Sequence, residues 1–291
     1  MRHGGCKTAH HDIRGEDVKR AWSHTLAIAL LVAGRAAAQA PDEPSSKTFF
    51  TGRDGVIAAG FLAASVGLSV FDARIAHWFR DTTLAHVRFG EKWDDVFTHV
   101  NETTLTVGGL AVYAVAKLGK ADAVADVAFH TAESVAAASL TAQVIRGPLG
   151  RTRPRDTQRS HDEQYEFHFF KGFTHFQERA FPSIHSSSGF AAASAIVAEV
   201  KHREPGAVWY VAVPAYALAL TPGLSRMYLG QHWASDVFAG AFLGTFYGWR
   251  VVDYSHAHPT TRVDRIFLGS VQHAQINVQR GSLTVGWSTA F

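Results

Sequence analysis

The chain has 291 residues, of which 47% are hydrophobic and 18% charged, so it can bury a full core and global disorder is excluded. The formal net charge is +3, and the basic excess lies within residues 1–38. The remainder therefore has no basic field to attract a nucleic acid, and we expect none as a partner. The only cysteine is Cys6, which excludes a disulfide framework and a cysteine-based metal site within the chain.

The first forty residues have the layout of an export signal. A basic stretch ends at Arg20, an apolar run covers residues 26–33, and three alanines follow at 36–38. This order of segments predicts a signal peptide over residues 1–38, and a disordered leader with a short core helix is the alternative. The mature chain would then be exported to the cell envelope without a cysteine. We favour the periplasm, with an integral inner-membrane location as the alternative.

Apolar, alanine-rich segments follow, and they predict an all-α fold, a helical bundle of about six core helices. One long loop over residues 155–181 joins the third helix to the fourth. The predicted divisions are a linker over 39–54, a helical domain over 55–254 and a tail over 255–291. Alternating polar and apolar residues near the end of that tail predict one or two short strands. The predicted helices cover residues 55–72, 103–118, 122–145, 186–200, 206–221 and 235–252.

Whether these helices cross a membrane depends on length and charge, since a span needs about 20 mainly apolar residues. Only Pro205–Ser225 reaches that length without a charge, and it contains three prolines. On the third helix, the spacing of its polar residues predicts a stripe that would be costly in lipid but ordinary as a solvated face. The pattern favours a soluble domain, with a membrane surface as a candidate partner and insertion as the alternative. The stripe consists of Asp122, Asp126, His130 and Glu133.

Three short blocks carry the residues that suggest phosphate chemistry. Residues 146–154 end a helix and hold arginines, whose guanidinium forks match phosphate oxygens. Residues 181–186 open a helix, where free N–H groups and the helix dipole favour an anion. Residues 225–236 hold His232 and Asp236 at i and i+4, so the carboxylate can hold one imidazole nitrogen. The other nitrogen is then left to act as a nucleophile or a base.

In order and spacing, the blocks resemble the motifs of the type 2 phosphatidic acid phosphatase superfamily, which includes class A acid phosphatases and vanadium haloperoxidases. Those motifs are Lys-x6-Arg-Pro, Pro-Ser-Gly-His and Ser-Arg-x5-His-x3-Asp. The chain departs from them at Arg146, where the family has lysine, and at Ile184, where it has glycine. The resemblance extends over roughly residues 50–252. The matched residues are Arg153, Pro154, Pro182, Ser183, His185, Ser225, Arg226, His232 and Asp236.

The resemblance implies a phosphatase that hydrolyses a lipid phosphate or a soluble phosphate monoester without a metal or other cofactor. His232 would attack phosphorus and form a phosphohistidine, Asp236 would orient it, and His185 would protonate the leaving alcohol. Arg151 lies close enough in sequence to serve in place of the first arginine, and Ser225 is expected to support its loop. The phosphate-binding residues implied are Arg146, Arg153, Ser183, Ile184 and Arg226.

The long loop carries six aromatic residues and, lying between the first two blocks, would border the mouth of the pocket. An apolar rim for a lipid or isoprenoid tail and a loop anchored on the core fit this composition equally well. His256 and His258 are predicted to lie in a loop after the last helix and not to bind a metal ion. The aromatic residues are Tyr165, Phe167, Phe169, Phe170, Phe173 and Phe176.

Two other functions compete with the phosphatase. A vanadium-dependent haloperoxidase is one, because vanadate fits such a pocket as a phosphate mimic. A non-catalytic protein that binds phosphate or lipid is the other, because Ile184 departs from the motif. If the turn at Ile184 is already helical, isoleucine supplies its N–H as glycine would, and we favour that case. The sequence specifies neither the substrate nor the oligomeric state.

Overall fold

The computed structural model describes residues 48–81, 97, 99–157, 162–258, 263, 274–279 and 282–287. Most of these residues are helical, which confirms the predicted all-α fold. The predicted signal peptide over 1–38 lies outside the described residues. The helices are α1 (Gly52–Ser69), α2 (Asp72–Asp81), α3 (Glu102–Leu118), α4 (Asp122–Leu149), α5 (Ile184–Arg203), α6 (Val208–Tyr228) and α7 (Ala234–Ala257), and the strands are β1 (Ala274–Gln279) and β2 (Ser282–Trp287).

Each predicted helical segment corresponds to a helix, and the ends follow local capping. The side chain of Thr51 accepts a hydrogen bond from the backbone N–H of Asp54 (3.3 Å), so α1 begins earlier than predicted. Helix α2 was not predicted, because its ten residues include five charged or histidine side chains and only a short apolar stripe. The two strands pair antiparallel across Gln279 and Ser282, as a hairpin.

Helix α5 runs through the core and packs closely against α7. Glycines recur every four residues on α7, at Gly240, Gly244 and Gly248. A Cβ atom at Gly240 would overlap the carbonyl oxygen of Ser183, and one at Gly244 would overlap that of Ser187. Only glycine therefore allows this approach, which brings the two helix backbones into direct contact. The N-termini of α5 and α7 are held together as a result.

The end of the bundle where α4 ends and α5 and α7 begin is called the site end below. Helix α4 ends at Gly150, which adopts a left-handed conformation (φ 60°, ψ 48°). A Cβ atom there would overlap the carbonyl oxygen of His168, which packs against the turn. The backbone N–H of Ser183 donates to the carbonyl of Asp236 (3.0 Å) and ties α5 to α7. Three chain segments thus meet at the site end.

Two assignments made from the sequence are wrong. His256 lies in the last turn of α7 and not in a following loop, because the helix continues to Ala257. The polar stripe of α4 is not a solvated face throughout, since His130 is buried against Glu199 of α5 while Asp122 is exposed. A polar residue on a helix is buried when a neighbouring helix offers it a polar partner.

The outer faces of α1, α3 and α6 are apolar. Within the described residues, one helix, Pro205–Tyr228, is long and apolar enough to cross a membrane, with 24 residues and a mean hydropathy of 1.4. Helices α1 and α2 are long and apolar enough to cross a membrane only when they are taken together, and their axes are bent by 56° at the break between them. Exposed apolar patches of this extent are uncommon on soluble monomers. The exposed side chains include Val56, Leu62, Val66, Val107, Leu110, Val112, Val115, Leu118, Trp209, Tyr210, Val213, Leu218, Leu220 and Leu224.

Candidate active site

The three sequence blocks converge at the site end. The first supplies the last turn of α4 and the segment after it, and the second caps and opens α5. The third covers the last turn of α6 and the turn before α7. Helix ends therefore position every predicted side chain, and most of them are buried or half-buried. The residues brought together are Arg146, Arg153, Ser183, Ile184, His185, Arg226, His232 and Asp236.

His232 is buried, and its ring orientation is fixed by a backbone group. Its Nδ1 donates to the carbonyl oxygen of Ala180 (2.6 Å), because a carbonyl can only accept. The predicted partner, Asp236, lies 3.8 Å from Nδ1, which is too long for a hydrogen bond. Burial lowers the pKa of His232 to about 4, although the nearby carboxylate raises it. The imidazole is therefore neutral near pH 7, with a lone pair on Nε2.

Asp236 is held by partners that the sequence motif did not indicate. Its carboxylate accepts hydrogen bonds from Nη1 of Arg151 (2.6 Å) and from the backbone N–H of Trp233 (2.7 Å). The Nη2 atom of Arg151 donates to Asp72 of α2 (2.8 Å), so this guanidinium joins two buried carboxylates. Arg151 is thus committed to Asp236 and Asp72, which weighs against its serving in place of Arg146. Asp72 also accepts from the backbone N–H of Ser235 (2.9 Å).

Arginine side chains give the site a concentrated positive charge. Nη2 of Arg146 donates to the carbonyl of Arg179 (2.6 Å). Arg153 donates to Gln231, and its guanidinium lies 3.9 Å from the ring centre of Phe176. Burial, and then repulsion from neighbouring arginines, lowers the pKa of Arg153 to about 9. A phosphate dianion would relieve that repulsion and accept bidentate hydrogen bonds.

His185 contacts this positive charge directly. Its Nε2 lies 2.7 Å from Nη2 of Arg226, and because a guanidinium can only donate, Nε2 is the acceptor. Burial, and then repulsion from Arg226, lowers the pKa of His185 to about 3. A bound phosphate dianion would offset both effects by attracting the guanidinium and favouring the imidazolium. His185 could then donate a proton from Nε2.

Ile184 occupies the first helical position of α5 with its side chain buried. Among the described residues other than glycine, only Lys120 and Phe170 have a positive φ. The turn at Ile184 is therefore helical, which is the case the sequence favoured. Isoleucine supplies its backbone N–H to the N-terminus of α5 without strain.

Replacing Ile184 with glycine is expected to change kcat/KM by less than about tenfold, or roughly 1.4 kcal/mol of transition-state free energy. The reason is that the backbone at residue 184 is already helical, a conformation that isoleucine and glycine can both adopt. Steady-state rates and a melting temperature for Ile184→Gly would be compared with those for Ile184→Val, which keeps a branched side chain. A gain of a hundredfold or more in the glycine variant would mean that Ile184 impairs the site.

The six aromatic residues of the long loop form an exposed group, here called the aromatic collar. Phe169 and Phe170 are 67% and 69% exposed. The ring of Phe173 packs on Gly147, next to the first arginine of the site. Backbone hydrogen bonds anchor the loop itself, including one from the N–H of His168 to the carbonyl of Gly150 (2.7 Å). The loop is thus fixed through its backbone and presents its rings outward beside the arginines.

Comparison with known proteins shows that the residues of the site are similar to those of a recognised family. Residues 128–259 match the model of a family described as the PAP2 superfamily, and they contain all three blocks. Over 69 residues the chain is 39% identical to the lipid A 1-phosphatase of Porphyromonas gingivalis (strain ATCC 33277). That match covers 24% of this chain and only 15% of the length of the relative.

One solved structure also aligns with the chain. It is the crystal structure of the first transmembrane PAP2 type phosphatidylglycerolphosphate phosphatase from Bacillus subtilis. The alignment covers 68% of this chain and 98% of the other, with 20% identity and a TM-score of 0.38. A TM-score of this size is too low to establish a shared fold.

Proposed function

We propose that this chain, whose residues 128–259 match the PAP2 superfamily, is a membrane-associated phosphatase that hydrolyses the phosphate monoester of a lipid. The observation that carries the proposal is a neutral, buried His232 among three arginines, beside an exposed aromatic collar. The arginines suit the phosphate, and the collar suits an acyl or isoprenoid tail. One relative, a lipid A 1-phosphatase, is named for a lipid substrate.

The first chemical step is attack by His232 on phosphorus. Its Nε2 lone pair forms the N–P bond while the bond between phosphorus and the ester oxygen breaks. The carbonyl of Ala180 accepts from Nδ1–H, so it stabilises the positive charge that develops on the ring. Arg146, Arg153 and Arg226 offset the charge on the phosphoryl oxygens in the transition state.

The leaving alkoxide needs a proton, and His185 supplies it. In the unliganded protein Nε2 of His185 accepts from Arg226, so it does not carry the proton there. Binding of the phosphate dianion draws the guanidinium to the substrate and favours protonation of that nitrogen. After the alcohol leaves, neutral His185 takes a proton from water as the water attacks the phosphohistidine. Inorganic phosphate and the original His232 are then restored.

The apolar outer faces support a location in the membrane. Helix Pro205–Tyr228 has 24 residues, or about 36 Å at 1.5 Å per residue, which exceeds a hydrocarbon core of about 30 Å. This helix ends at the site end, so the collar would lie near the membrane surface, where aromatic side chains are favourable. Sequence patterns favoured a soluble domain, whereas the exposed apolar faces favour insertion. Export to the envelope stays a prediction from residues 1–38.

The experiment that tests the function is a phosphate-release screen on the purified full chain in detergent. Lipid phosphate monoesters in mixed micelles would be compared with soluble monoesters. We expect release from a lipid monoester that persists after treatment with a chelator and is inhibited by vanadate. Inactivity towards all monoesters would contradict the proposal, and halide oxidation with vanadate and peroxide would assign the haloperoxidase activity instead.

The aromatic collar gives a prediction that separates lipid from soluble substrates. The double variant Phe169→Ser/Phe170→Asn should lower kcat/KM for a lipid monoester in vesicles by about tenfold or more, because both rings lose contact with the tail or the bilayer. Asparagine is chosen because it tolerates the positive φ of Phe170 (67°). The rate with p-nitrophenyl phosphate should stay within about twofold of the wild-type rate.

A matched control is available at the other end of α6. Trp209 and Tyr210 are 73% and 84% exposed but lie far from the collar along the helix. The double variant Trp209→Ser/Tyr210→Asn should keep its preference for lipid over p-nitrophenyl phosphate. An equal loss on both substrates in the collar variant would show that the loop supports the site and does not bind the lipid.

A further inference from the structure

A second cluster of polar side chains lies at the end of the bundle remote from the site end. It consists of His130 on α4, Glu199 on α5 and His256 on α7, one residue from each of three helices. One donor atom of each residue lies within 4.8 Å of the others. His130 precedes Arg146 by sixteen positions on the same helix, or about 24 Å at 1.5 Å per residue. The cluster is therefore separate from the phosphate site.

The carboxylate of Glu199 lies between the two imidazoles. Its Oε1 is 2.5 Å from Nδ1 of His130, and its Oε2 is 3.2 Å from Nε2 of His256. His130 and Glu199 are buried, whereas the side chain of His256 is 31% exposed. The two nitrogens and the carboxylate oxygens face one another, and His256 leaves a route to the outside.

Neighbouring groups fix these three side chains. Nε of Arg203 donates to Oε2 of Glu199 (3.0 Å), and its Nη2 donates to Asp126 (3.1 Å). The ring of His202 stacks on that of His256, with centroids 4.3 Å apart. His202 in turn contacts Asp253 (2.8 Å). Such outer contacts orient metal ligands and tune their basicity.

The charge of the surroundings favours a cation. The cluster and its neighbours bring together three carboxylates, those of Glu199, Asp126 and Asp253, against one guanidinium, that of Arg203. With neutral imidazoles the sum is two negative charges. A divalent ion bound by Glu199 would therefore enter a net negative environment.

We propose that His130, Glu199 and His256 bind a divalent cation of the zinc class, which joins α4, α5 and α7 away from the phosphate site. Two imidazoles and one carboxylate are a ligand set that Zn²⁺ accepts, with water in the fourth position. Zinc–ligand distances of about 2.0–2.2 Å give donor–donor separations of about 3.4 Å. The contact between His256 and Glu199 is close to this value, and that of His130 must lengthen by about 0.9 Å.

Each ring nitrogen that hydrogen-bonds to Glu199 must lose its proton before it binds a cation, either to the other nitrogen of the same ring or to solvent. The role is structural, because three different helices supply the ligands and the cluster lies far from the phosphate site. Removing the ion should lower thermal stability and leave the chemistry at the site end unchanged.

The test is metal binding by the purified full chain without a polyhistidine tag. After chelation and dialysis, titration with Zn²⁺ should give about one tightly bound ion per chain and raise the melting temperature by several degrees. His256→Gln is the main variant, since an exposed residue can be replaced without unfolding the core. It should weaken Zn²⁺ binding by about 100-fold or more and abolish the rise in melting temperature.

His258→Gln is the matched control, because this histidine lies two residues further along and its ring contacts Tyr254, outside the cluster. It should bind Zn²⁺ as the wild type does. If Zn²⁺ binds equally to the wild type and to His256→Gln, or binds to neither, the cluster is an ion pair only and the proposal is wrong. Initial rates with p-nitrophenyl phosphate before and after chelation test the phosphatase independently, since they should be equal.

Discussion

Replacing His232 with alanine is expected to lower kcat by about 10⁴-fold or more, because the variant has no nucleophile to form the phosphoenzyme. KM should change little, since Arg146, Arg153 and Arg226 would still bind the phosphate. Single-turnover kinetics and quenched trapping of labelled phosphoenzyme would measure the loss. No phosphoenzyme should accumulate in the variant at any time point.

Asp236→Asn is the informative companion to His232→Ala. Because the carbonyl of Ala180 holds Nδ1, losing the carboxylate should not reverse the tautomer, and we expect a smaller loss in kcat, of about 10- to 100-fold. Stability should also fall, since Arg151 would lose one of its two buried carboxylate partners.

Retention of more than about 1% of activity in His232→Ala would exclude the phosphohistidine mechanism. Abolition of activity by a chelator, with rescue by a divalent metal, would also exclude it.

Replacing His185 with alanine should lower the rate on alkyl phosphates by about 10²- to 10⁴-fold, because a poor leaving group needs its proton in the transition state. The rate on p-nitrophenyl phosphate should fall by less than about tenfold, since nitrophenolate leaves without protonation. The comparison requires kcat for both substrates with one enzyme preparation. A soluble alkyl phosphate avoids any contribution from the bilayer.

His175→Ala is the control for this experiment, because it removes an exposed histidine of the long loop whose ring contacts the neighbouring Thr174. Both rates should stay at the wild-type level. Equal losses on the two substrates in His185→Ala would mean that His185 binds phosphate or supports the pocket. The acid role would then belong to another group.

The convergence of the candidate site residues could be predicted from the sequence, because these residues occur in short blocks with fixed spacing. Each block ends or begins a helix, so the helix lengths alone bring His185 and His232 to one end of the bundle. The core helices themselves could be predicted because their apolar segments are long enough to form helices. The six aromatic residues could also be selected, although their outward direction required the structure.

The supports of the site could not be predicted, because they are contacts between distant positions. Arg151 and Asp72 are 79 residues apart, and Asp72 opens a short polar helix that has no strong periodic signal. The partner of His232 is a backbone carbonyl, which every residue carries and no sequence pattern marks. Likewise, spacing on α4 placed His130 with exposed residues, and only its partner Glu199 on another helix explains its burial.

The direct backbone contact between α5 and α7 means that the helix ends of the site tolerate few substitutions, whereas the long loop tolerates many. Ser183 and His185 lie at the start of α5 and His232 lies just before α7, and the glycine contacts between these two helices leave no room for adjustment. The aromatic rings instead sit on a loop that is anchored by its backbone and free to change its side chains. Under the proposed function, substitutions in that loop would therefore redirect the protein to a lipid with a different tail or headgroup. The bond-breaking groups would be inherited unchanged, so new specificity would not require rebuilding the catalyst.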